Sequence, residues 1–173
     1  MTENFIDLLV NGDIEGFNKA IHSDNCDLTE CDFQGLEIVD ADFSNLDISG
    51  CNFSETSLEN VNFENSDLSA TVFSRANISN CSFIGATLSG TSFSNAQVTY
   101  CDFTDSDLSG CDFIETDLTD SDMSLALNMN KCRFDKFTVF PDSDKLPSDF
   151  DSSYEDDLAS LNEEEDSQSD SDY

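Results

Sequence analysis

Basic residues are almost missing from this chain: six lysines and arginines stand against 38 aspartates and glutamates, a formal net charge of -32 over 173 residues. A surface of that sign repels phosphates, so direct contact with nucleic acid is excluded. Histidine is scarcer still. His22 is the single one, so no Ser-His or Cys-His pair can form away from its own segment. No glycine-rich phosphate loop, GGxGxD calcium repeat or CxxC spacing occurs, which removes the usual phosphate, calcium and zinc motifs. No apolar run is long enough to cross a membrane. Glu3 and Asp7 stand where a secretory signal needs positive charge. The expectation is a cytoplasmic, non-enzymatic chain without cofactor, metal or membrane partner, built as one domain and a tail.

What is abundant is order. Every tenth residue is phenylalanine from Phe33 through Phe43, Phe53, Phe63, Phe73, Phe83, Phe93 and Phe103 to Phe113. Midway between them runs an aliphatic series that includes Leu28, Ile38, Ile48, Leu58, Leu68, Ile78, Leu88, Val98, Leu108 and Leu118. A large apolar residue at every fifth position fits neither regular element. On an α-helix it spirals around the axis, and on a flat strand it alternates between faces. A chain that turns a corner every fifth residue aims all of them at one axis. Two residues before each large one comes a mostly small residue, among them all seven cysteines: Cys26, Cys31, Cys51, Cys81, Cys101, Cys111 and Cys132. They read as small core fillers kept reduced, with Cys31 stacked on Cys51 and Cys81 on Cys101.

Blocks such as CDFTD, SDLSG, CDFIE and TDLTD resemble the pentapeptide-repeat family. The resemblance implies an all-β solenoid: a right-handed quadrilateral β-helix with one block per face and four blocks per coil. Residues 26–125 would then give about five coils and a rod roughly 24 Å long at strand-like spacing. Equal faces recur every twentieth residue, so Phe33, Phe53, Phe73, Phe93 and Phe113 form one internal column. Phe43, Phe63, Phe83 and Phe103 form a second, ending at Met123.

Solenoids need covered ends. Residues 1–25 read as two short helices broken at Asn11-Gly12, a helical N-terminal cap. Residues 126–141, where Cys132-Arg133-Phe134 restarts the motif out of phase, read as a partial last coil. Its apolar surface serves either as a C-terminal cap or as the contact of a homodimer. Residues 142–173, rich in serine and acids, read as a disordered tail.

Charge marks the candidate site. The position before the large residue carries Asp27, Asp47, Asp67 and Asp107 on one face, interrupted by Thr87. Adjacent faces carry Asp32 and Asp112, and Asp42, Asp102 and Asp122. Between Leu68 and Cys101 there is no acid and Arg75 is the sole charge, so two acidic ends flank a neutral waist. The reading is a rigid acidic surface for an unidentified protein partner. Some members of the resembling family, the quinolone-resistance proteins, are acidic rods that engage DNA gyrase. The resemblance therefore implies an alternative, a DNA mimic directed at gyrase or topoisomerase.

Overall fold

The computed structural model describes residues 5–23 and 26–151. Its backbone hydrogen bonds repeat with the sequence. Phe33 N–H donates to Asn52 O at 2.8 Å, Phe53 N–H to Val72 O at 2.7 Å and Phe73 N–H to Ser92 O at 2.7 Å. The preceding residue donates the other way, Asn52 N–H to Cys31 O at 2.9 Å and Val72 N–H to Cys51 O at 2.9 Å. Each coil is thereby bonded to the one before and the one after, and twenty residues complete a circuit. On one face the pairing is regular enough to form strands: β1 (Glu37–Val39), β2 (Ser57–Glu59), β3 (Asn77–Ser79) and β4 (Gln97–Thr99). They make a parallel sheet in the order β1-β2-β3-β4, with Ile38, Leu58, Ile78 and Val98 in register.

The corners are made by backbone conformation. From Glu30 to Asp120 every fifth residue has positive φ, between 54° and 72°. An L-residue loses roughly 1–2 kcal/mol there, and Gly, Asn and Asp lose least. Most corners carry one of those three types. Glu30, Glu55, Ala70, Arg75, Tyr100 and Glu115 are the exceptions.

The core is two aromatic columns and two aliphatic walls. Within a column the rings lie nearly parallel: Phe53–Phe73 centroids are 5.0 Å apart at 16°, and Phe73–Phe93 are 5.2 Å apart at 5°. Between columns they meet edge to face, Phe73–Phe83 at 6.2 Å and 87°. Both arrangements suit the ring quadrupole. All nine repeat phenylalanines are fully buried.

The N-terminal cap is α1 (Phe5–Val10) and α2 (Ile14–Ile21), with Asp13 capping α2 by accepting from Gly16 N–H at 2.9 Å. Phe17 closes the Phe43 column at 5.3 Å, and Phe5 approaches Phe33 at 6.4 Å. Polar groups finish the seal. Asn18 Oδ1 accepts from Asp42 N–H at 2.9 Å, where a preceding coil would otherwise provide a carbonyl. His22 bridges Asn18 O (2.9 Å) and Ser44 O (3.3 Å) through its two ring nitrogens.

The C-terminal end corrects one expectation. Pairing continues past residue 125, but its offset grows by one residue at each step: Asp107 pairs with Leu127, Asp112 with Arg133 and Asp117 with Val139. A 3₁₀ turn (Met129–Lys131), entered through Asn128 at φ 61°, takes up the first extra residue. Phe134 thus stacks on Phe113 at 5.6 Å and extends the aromatic column. Residues 142–151, expected to belong to the tail, pack on the last coil instead. Met123 N–H bonds Lys145 O at 2.9 Å, Lys145 Nζ reaches Asp120 O at 2.9 Å, and Phe150 packs on Phe134 at 5.7 Å. Composition averaged over residues 142–173 conceals Leu146 and Phe150, which bury enough apolar surface to hold this stretch. The remainder of the expected tail, from residue 152, lies outside the described residues, as do residues 1–4, 24 and 25.

Candidate functional site

All nine candidate aspartates sit at one position of the repeat, and that position has a backbone task. The residue two places on points its N–H back at the side chain, so an oxygen there closes an Asx turn. Asp27 Oδ1 accepts from Thr29 N–H (3.0 Å), Asp32 from Gln34 (3.1 Å), Asp42 from Ser44 (3.0 Å) and Asp47 from Ser49 (3.1 Å). Asp67 accepts from Ser69 (2.9 Å), Asp102 from Thr104 (2.9 Å) and Asp107 from Ser109 (3.0 Å). Asp112 accepts from Ile114 (3.1 Å) and Asp122 from Ser124 (3.0 Å). Asn52 and Asn62 do the same without charge. An oxygen at this position thus serves the turn without being indispensable to it, since Val72 occupies the same position in a coil that still turns, and the negative charge is additional. Composition alone could not separate the two roles, although the interchange of Asp and Asn before the large residue is the signal that could have.

Several of these carboxylates also take a hydroxyl. Ser49, Ser109 and Ser124 each donate through Oγ at 2.7 Å to Asp47, Asp107 and Asp122. The Ser109 hydroxyl, helped by the Asn128 amide at 2.8 Å, holds Asp107 below the usual carboxylate range. The Ser124 hydroxyl does so for Asp122, and the Thr29 hydroxyl for Asp27. These groups stay ionised under all but strongly acidic conditions.

Coil register decides which acids become neighbours. Asp47 pairs directly with Asp67, and Asp102 with Asp122. Thr87 separates Asp67 from Asp107, while Asn52, Val72 and Ser92 separate Asp32 from Asp112. Four coils at about 4.8 Å put those last two carboxylates roughly 19 Å apart. Asp112 is moreover paired with Arg133 at 3.1 Å, and it is half-buried. The candidate residues thus fall into an N-terminal group and a C-terminal group. Sequence reasoning passed over further acids at the rim: Asp120 holds Lys145 at 3.4 Å, and Glu55 meets Arg75 at 3.8 Å.

Five of the seven cysteines, Cys51, Cys81, Cys101, Cys111 and Cys132, occupy the interior as expected. Burial pushes the Cys51 thiol up to about 12 and raises Cys101 and Cys111 well above the usual thiol value. Their Sγ atoms donate to carbonyls of the preceding coil, Cys51 to Leu28 O at 2.9 Å and Cys111 to Leu88 O at 3.1 Å. Cys26 and Cys31, at the open first coil, are half-buried. Among the described residues no group of three His, Cys, Asp or Glu converges as a metal site would, and no helix is long and apolar enough to cross a membrane.

Comparison with known proteins agrees with the coil geometry. A family model described as a pentapeptide repeat region matches residues 20–93 and 56–134. No curated protein matches the sequence. Among solved structures, the chain is similar to the pentapeptide repeat protein Rfr23 from the cyanobacterium Cyanothece 51142. Identity is 16%, coverage 65% of this chain and 89% of that one, and the TM-score 0.61. A pentapeptide repeat protein from Nostoc Pcc 7120 is 20% identical over 75% of this chain and 92% of that one, with a TM-score of 0.37. QnrB1, a plasmid-mediated fluoroquinolone resistance protein, is 18% identical over 62% and 86%, with a TM-score of 0.26. With two overlapping matches that span most of its coils, this chain belongs to the pentapeptide-repeat family.

Proposed function

We propose that the chain is a non-enzymatic, cytoplasmic binding protein whose rod presents fixed carboxylates to another protein. The observation that supports this most is the double use of the candidate aspartates. Each has its Oδ1 held by a backbone N–H between 2.9 and 3.1 Å. The carboxylates are therefore positioned before any partner arrives, and little side-chain entropy is lost on binding. The fold by itself assigns no activity.

The test separates charge from turn geometry. Changing Asp47, Asp67 and Asp107 together to asparagine retains an oxygen for each turn and removes three charges. With the chain as bait in an extract of its host, the unaltered protein retains a defined partner and the asparagine variant, still folded by circular dichroism, releases it. Equal retention by both would contradict the proposal.

A second reading keeps the same residues and names the partner as DNA gyrase or topoisomerase, the carboxylates standing in for DNA phosphates. The direct neighbours Asp47 and Asp67 favour it, and Thr87 interrupts their column. It requires an effect on gyrase supercoiling that fades as salt screens the charges. Absence of any effect at low salt would discard it.

A further inference from the structure

β1 is the outer strand of the parallel sheet, and among the described residues its outer hydrogen-bonding edge is open in a specific pattern. In later coils the residue equivalent to Glu37 donates toward the N-terminal end of the rod: Ser57 N–H to Leu36 O (2.9 Å), Asn77 N–H to Thr56 O (2.8 Å) and Gln97 N–H to Ala76 O (2.9 Å). The equivalent of Val39 accepts from that direction, as Glu59 O does from Asp40 N–H at 3.0 Å. Asp117 O likewise accepts from Val98 N–H at 2.7 Å, in the place that Glu37 O holds on β1. Transferred to β1, this register aims Glu37 N–H, Glu37 O and Val39 O away from β2, and among the described residues no coil lies above them. The cap seals the neighbouring face instead, through Asn18 and His22.

Beside this edge lies a cleft of about 440 Å³ between the α1–α2 turn and β1, lined by Leu9, Val10, Ile14, Leu36, Glu37 and Val39. Val10 is 65% exposed there. Leu36 is itself unusual. Its counterparts in the next coils are Thr56, Ala76, Ala96 and Thr116, all small, so the bulky member of that column stands only at the open end. The segments that line the cleft carry mostly acids: Glu37 is itself a lining residue, Asp13, Glu15 and Asp40 adjoin the others in sequence, and Lys19 is the single base of the cap helices.

We propose that the outer edge of β1 is a docking site for an extended peptide segment of a partner protein in which apolar and basic residues alternate. The segment adds as a fifth strand, bonding Glu37 and Val39 through its backbone. Its apolar side chains enter the cleft over Leu36, and its basic side chains lie on the outer face beside Glu37, which Val39 shares. The site is separate from the aspartate columns, so asparagine at Asp47, Asp67 and Asp107 leaves it intact. Either reading can fail without the other.

The experiment uses the full chain and the peptide acetyl-Lys-Val-Lys-Val-Lys-Val-Lys-amide, with amide hydrogen exchange read by NMR. Saturating peptide is expected to slow exchange at Glu37 at least tenfold. Its glutamate-for-lysine counterpart should bind at least tenfold more weakly, and so should a version N-methylated at alternate residues. Glu37→Pro removes the outward N–H without breaking an internal bond and should weaken peptide binding at least tenfold, read from the shifts of neighbouring amide resonances. Glu37→Lys keeps the backbone and should weaken binding at least tenfold, which guards against a Glu37→Pro chain that fails to fold. Equal affinity for folded variants and the unaltered chain would mean diffuse attraction between opposite charges, and would overturn the proposal. Slow exchange at Glu37 before peptide is added would overturn it too, because the edge would already be covered.

Discussion

An aspartate in this chain has two physical identities, and Asp107 shows both. Its Oδ1 closes a turn with Ser109 N–H at 3.0 Å and takes the Ser109 hydroxyl at 2.7 Å. Its charge lies at the rod surface. Hydrogen bonds to the ionised form depress its pKa in the folded state, so this aspartate stabilises the fold above the unfolded value of about 3.9. That contribution disappears as pH falls through the lower folded value. Ser109→Ala removes the largest cause of the depression. The Asp107 carboxyl should then titrate closer to an ordinary aspartate when followed by carbonyl-carbon NMR, and the acid limb of the stability curve should flatten. An unchanged titration would mean that the hydroxyl is not what holds the charge. The residues alone revealed where the acids are. They did not reveal the turn, because an Asx bond shows in the sequence only as the interchange of Asp and Asn before the large residue, which the excess of charge obscured.

At the scale of one coil, a column of rings and a row of left-handed corners carry the structure. Phe73 stacks between Phe53 and Phe93 and meets Phe63 and Phe83 edge to face. Phe73→Ala therefore leaves a cavity walled by four rings and should cost about 3–5 kcal/mol in urea unfolding. A cost below about 1 kcal/mol would show that the rings do not pack as described. The corners can be tested separately at Gly90, where φ is +72° and a methyl group would touch nothing within 4 Å. Gly90→Ala changes only backbone preference and should destabilise by about 1 kcal/mol. No loss would mean the corner is not left-handed. The aromatic columns were legible in the sequence because a period of twenty is the sum of four equal blocks. Positive φ at Glu30, Glu55, Ala70, Arg75, Tyr100 and Glu115 was not, since nothing in those residue types favours it. The coil imposes it, because each of these residues donates its N–H to the segment that follows one turn on and, except after Tyr100, the next residue closes the corner behind it.

Across the molecule, the middle follows from the repeat and the ends follow from individual residues. The helical cap was visible from Phe5, Phe17 and Ile21, but its polar seal depends on Asn18 and His22, which fit no pattern. The last coil was visible from Phe134, whereas its continuation to Lys145 and Phe150 was masked by the acidic composition around them. The charge pattern of two acidic groups and a neutral waist survives in three dimensions because coil register preserves sequence order along the rod.

The claim that joins these scales is that the aspartates serve the turn through an oxygen and serve the surface through a charge. It is tested most directly by comparing urea unfolding of two triple variants, Asp47, Asp67 and Asp107 changed to asparagine or to alanine. Both lose the same three charges, so their difference isolates the turn. At roughly 0.5–1 kcal/mol per site, the alanine variant should be about 2 kcal/mol less stable than the asparagine variant. Equal stability of the two would contradict the account.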